Sequence, residues 1–69
     1  MATINILLNG ENHEVPAEID LDQLLELFLL PKKRVAIEIN NNVLRQSEWS
    51  KTNIKDSDKI EVVHFVGGG

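Results

Sequence analysis

The chain switches between two spacings of apolar residues, and each switch marks an element. In "TINILLNGENHEV", Ile4, Ile6 and Leu8 fall at every second position, an Asn9-Gly10 pair follows, and Val15 resumes the pattern. Period two belongs to a strand with one buried face. An Asn-Gly pair between two such runs is a strong hairpin signal, because both residues accept the positive φ of a two-residue turn. The chain therefore opens with two antiparallel strands, the second ended by Pro16. In "AEIDLDQLLELFLLP" the period lengthens: Leu21, Leu24, Leu25 and Phe28 stand at i, i+3, i+4 and i+7, one stripe of a helix. Asp20 is placed as the N-cap and Gln23 completes a capping box, with Ile19 and Leu24 positioned as a hydrophobic staple. Pro31 stops the helix at or before Leu30.

"RVAIEIN" returns to period two, with Val35, Ile37 and Ile39 inward and Ala36 and Glu38 outward. "NNN" reads as a turn and "VLR" as a short strand after it. "QSEWSKTNIKDSD" reads as irregular, anchored on the core by Trp49 and Ile54, with Asp56-Ser57-Asp58 as a turn. "KIEVVHFV" is the last strand: Ile60 and Val62 point into the core, and Glu61, Val63 and Phe65 point outward. One helical stripe and several half-apolar strands are buried together most economically in an α+β fold. That fold is a mixed sheet of four to five strands with one main helix packed on one face.

Size and charge narrow the function. Sixty-nine residues make one domain near the lower limit for an unstapled core, and 42% hydrophobic residues are enough to build one. There is no cysteine, hence no disulfide framework and no thiol nucleophile or side-chain sulfur carrier. A formal charge of −4 argues against nucleic acid as a partner, and Lys32-Lys33-Arg34 is too short a basic run to reverse that. No apolar stretch approaches the ~20 residues of a membrane span, and the N-terminus lacks the order of a secretory signal. The expected location is cytoplasmic or an organelle stroma. His13 and His64 have no ligand spacing, so a surface position or cross-strand packing is their expected role and no metal site is assigned. Glu11, Glu14, Glu18, Asp20 and Asp22 read as a solvated face apart from the cap.

The ordered set "LPKKRVAIEINNNVLRQSEW" and "IKDSDKIEVVHFVGGG" resembles the thiamine-biosynthesis sulfur-carrier (ThiS) family along essentially the whole chain. A Leu-Pro helix end, the strand to Asn40, Arg45, Glu48-Trp49, Asp56 and Asp58, and Gly68-Gly69 carry the likeness. Asn41-Asn42 and Ser57 depart from it, standing where glycine is expected in the turns. The resemblance implies a ubiquitin-like β-grasp with a domain over 1–66 and a flexible glycine tail over 67–69. It also implies that the chain is a co-substrate and not an enzyme. A partner adenylating enzyme using ATP and Mg would activate the Gly69 carboxylate. A sulfur donor such as a cysteine desulfurase or rhodanese-like protein would convert it to a thiocarboxylate, and thiazole synthase would take the sulfur.

The residue types fit this chemistry. A carboxylate accepts sulfur only after gaining a leaving group, so its end must enter an enzyme cleft. Gly67, Gly68 and Gly69 lack Cβ atoms and extend about 10 Å at ~3.3–3.6 Å each. Phe65 and Val63, joined by Leu7 from the first strand, would form an exposed apolar patch for partner docking beside the tail. A molybdopterin-synthase small-subunit-type carrier and a ubiquitin-like modifier share the fold and the ending. A β-grasp RNA-binding module and an inert fragment with a cloning tail are further readings, the first opposed by the acidic balance.

Overall fold

The computed structural model describes residues 2–64. Five strands, β1 Thr3–Leu8, β2 Glu11–Pro16, β3 Val35–Ile39, β4 Asn42–Leu44 and β5 Lys59–His64, form one mixed sheet in the order β2-β1-β5-β3-β4. Among the described residues a single α-helix, α1 Leu21–Leu27, covers one face. The last strand thus lies in the centre, parallel to β1 and antiparallel to β3. This is the β-grasp arrangement that the resemblance implies.

Each local signal has a structural counterpart. Leu8 pairs with Glu11, and Asn9 and Gly10 take φ of 50° and 84°, so the two-residue turn uses the residues best suited to it. Asp20 caps α1 as read: its carboxylate accepts from the Gln23 N–H at 2.7 Å, and the Gln23 side chain accepts from the Asp20 N–H at 3.0 Å. Leu21, Leu24 and Leu25 are fully buried, and Phe28 packs against the same cluster. The helix is shorter than its stripe, with Phe28 as C-cap.

Two details differ from the sequence reading. The second hairpin uses Asn40 and Asn41 as its left-handed pair, at 51° and 72°, while Asn42 opens β4. The left-handed region tolerates asparagine, so glycine is dispensable there. Ser57 does adopt a positive φ, 70°, in a turn braced from two sides. Asp56 accepts from the Asn5 N–H, and the Ser57 N–H donates to the Asn5 carbonyl at 2.7 Å. The segment read as irregular contains a 3₁₀ helix, Gln46–Lys51. Such a short element leaves little periodic signal. Trp49 plugs it into the core at 3% exposure, its indole N–H reaching the Leu44 carbonyl at 3.4 Å. Bonds from Leu21 N–H to Thr52 and from Ile54 N–H to Ile19 then tie this segment to the start of α1.

Candidate functional site

The helix leaves the other sheet face open, and strand alternation assigns it outward residues. β5 presents Lys59, Glu61 and Val63, with Val63 46% exposed. Beside them β3 presents Ala36 opposite Val63 and Glu38 opposite Glu61, and β4 presents Val43 opposite Glu38. Two carboxylate side chains therefore face one another across neighbouring strands, an unfavourable pairing. Lys59 offsets part of it with an ion pair to Glu61 at 3.6 Å.

Of the expected docking residues, Val63 and Leu7 both occupy this face. Leu7 is half-buried and pairs with Lys59. Val63 lies four residues further along β5, which at ~3.3 Å per residue separates the two by about 13 Å. Phe65 and the tail residues Gly67, Gly68 and Gly69 lie outside the described residues.

Side chains that the sequence reading treated as turn formers hold β5 in place. β1 stops at Leu8, and beyond it the Asn9 side-chain oxygen accepts from the Val62 N–H at 2.8 Å. The Asn9 N–H donates to the Ile60 carbonyl at 2.9 Å. At the start of β5, the Asn40 side chain accepts from the Lys59 N–H at 3.0 Å and donates to Asp58 at 3.0 Å. Two turn asparagines thus replace ladder bonds on the strand that leads to the tail. Asparagine carries both a donor and an acceptor, the available sequence signal for this dual role.

His13 lies on the helix side and packs against Phe28 at the end of α1, ring centroids 4.9 Å apart at 65°, a strand-to-helix contact and not the cross-strand packing expected of it. His64 pairs with Val35 at the end of the sheet. Among the described residues no group of three or more His, Asp or Glu side chains is arranged to hold a metal ion. Lys32 binds Asp22 at 3.0 Å and Glu26 at 2.8 Å, drawing the loop after α1 back over the helix. Those bonds, first the one to Glu26, hold the ammonium pKa above its ordinary value. No helix among the described residues is long and apolar enough to cross a membrane.

Comparison with known proteins agrees with this architecture. The model of the ThiS family matches residues 6–69. The sulfur carrier protein ThiS of Bacillus subtilis (strain 168) is 37% identical over 49 residues, covering 71% of this chain and 74% of that one. A thiazole synthase of Magnetococcus marinus is 38% identical over 66 residues, covering 96% of this chain but only 20% of that protein. Among solved structures, a thiamine biosynthesis protein (ThiS) from Geobacter metallireducens superposes with a TM-score of 0.84. It is 29% identical, and the match covers 96% of this chain and all of the other.

Proposed function

Because this chain belongs to the ThiS family, we propose that it carries sulfur for thiazole assembly in thiamine biosynthesis, serving as a co-substrate that partner enzymes process. The supporting observation is the family match running to residue 69. The thiazole synthase of Magnetococcus marinus adds to it, since that enzyme contains a stretch similar to this whole body. A carrier-like segment and a synthase joined in one polypeptide act at high effective concentration, as a sulfur donor and its acceptor must.

On this reading a Gly69 carboxylate oxygen attacks the α-phosphorus of Mg-bound ATP in the adenylating enzyme, and pyrophosphate leaves. A sulfide equivalent, the donor's persulfide sulfur together with two electrons from a thiol reductant, then attacks the acyl carbon, and AMP departs with the C–O bond pair. The resulting thiocarboxylate delivers its sulfur to thiazole synthase. Gly67 and Gly68 thread the enzyme cleft, where a side chain would obstruct close backbone approach. Val63 and Phe65 dock the body beside that cleft, and Leu7 contributes at the far side of the open face. The cytosol or an organelle stroma supplies the ATP that this chemistry requires.

Intact-mass measurement tests the reading. After incubation with ATP, Mg, the adenylating enzyme and a sulfur donor, the chain gains the mass difference between sulfur and oxygen. Deleting Gly69 abolishes the gain. A full gain in the deleted chain overturns the assignment.

A further inference from the structure

The C-terminal end of α1 carries leucines that the fold does not use. The helix closes with the Leu29 N–H on the Glu26 carbonyl at 3.1 Å and the Leu30 N–H on the Leu25 carbonyl at 2.8 Å. This double closure requires a left-handed residue between its two bonds, a position that favours glycine because a Cβ crowds the backbone there. Leu29 fills it at φ 56°. Leu30 turns back against the core, but Leu29 is 91% exposed and Leu27 is 53% exposed. Leu29 thus adopts a backbone conformation that leucine disfavours and still leaves its side chain in water. Strain retained without a packing return points to a use outside the chain.

The charge beside these leucines says what kind of surface covers them. Lys33 and Arg34 stand four and five residues beyond Leu29, both exposed, and Arg34 is again left-handed at φ 60°. Lys32 is committed to Asp22 and Glu26, whereas the ion pairs among the described residues involve neither Lys33 nor Arg34. Without Lys33 and Arg34 the formal charge would fall from −4 to −6, so these two cations stand out on an acidic protein. Its position matters as well. Val35 pairs with His64, so Arg34 stands at the sheet end where β5 runs out toward residues 65–69.

We propose that Leu27, Leu29, Lys33 and Arg34 form a second docking surface for the adenylating enzyme, which meets them with an apolar hollow bordered by carboxylates. The partner's identity rests on the function proposed above; the surface and its chemistry rest on the exposure, strain and charge just described. The leucines supply desolvated contact, and the cations supply orientation and a salt-sensitive encounter rate.

Calorimetric titration of the purified adenylating enzyme with the full chain decides it. Leu29→Gly is expected to weaken binding roughly tenfold while leaving the melting temperature unchanged or raised, because glycine relieves the left-handed strain. Lys33→Glu with Arg34→Asn, asparagine being chosen for its tolerance of positive φ, is expected to weaken binding and flatten its salt dependence. Wild-type affinity in both variants overturns the proposal, as does failure of the wild-type chain to bind the enzyme. Loss of self-association or of phosphatidylserine-vesicle binding in Leu29→Gly, with enzyme affinity intact, also overturns it. The corner would then belong to a second copy or to a membrane surface. Deleting Gly69 separates the two readings: it removes the sulfur-dependent mass gain and leaves this contact in place. If the intact chain is never adenylated, the tail assignment falls, and the comparison of affinities still judges the corner.

Discussion

Ile37 and Glu38 are neighbours in β3, yet they belong to regions built on opposite rules. Ile37, Ile60 and Leu25 lie on the helix-covered side with no exposure to solvent, and among the described residues no charged side chain is buried there. Glu38 lies on the open side, opposite Glu61 and beside Val43, which is 70% exposed. The covered face gains free energy from every atom it removes from water. The open face accepts a like-charge pair and exposed valines, both of which cost stability. Stability is therefore supplied mainly from the covered side, and on the reading proposed above the open face serves docking.

Truncation on the covered side should have the largest effect. Leu25→Ala is expected to lower stability by about 2–5 kcal/mol, through lost transfer energy and the cavity left among immobile neighbours. In a domain this small that is a large part of the total. Urea denaturation followed by circular dichroism measures it, and a loss under about 1 kcal/mol would mean the covered face is less tightly packed than it looks. Glu38→Gln should move stability the other way, raising it by roughly 0.2–1 kcal/mol by removing the repulsion with Glu61. Added salt should shrink this gain, because partly exposed charges are screened. A loss of stability would show that Glu38 has a favourable partner. Val63→Asp should have the smallest effect on folding, within about 0.5 kcal/mol for an exposed position. The same variant should show a raised KM for the carrier in ATP–pyrophosphate exchange by the adenylating enzyme, and an unchanged KM would remove Val63 from the docking surface.

Much of the fold was legible in sequence because its signals are local. The shift from period two to the helical stripe located β1, α1 and β3, and the Asp20–Gln23 box and the Asn9-Gly10 turn each depend on residues within three positions. Outward-facing Val63 followed from alternation alone. The 3₁₀ helix was not legible, since six residues of weak hydrogen-bond geometry leave no periodicity to read. The helix end was legible only roughly: Pro31 marks where it must stop, while closure through a left-handed leucine runs against intrinsic preference.

By itself, then, the amino-acid order determined which residues form elements and which side of each strand is apolar. Tertiary structure decided what stands next to what. Register set Leu7 against Lys59, some distance from Val63, and brought Glu38 to Glu61. Pairing across the chain turned Asn9 and Asn40 from turn formers into supports for β5. Folding also carried Lys33 and Arg34 to the edge where that strand runs out. The division has a physical reason: torsional preference and periodicity act over a few residues, whereas neighbours brought from opposite ends of a sequence are fixed only when the whole sheet closes over one core.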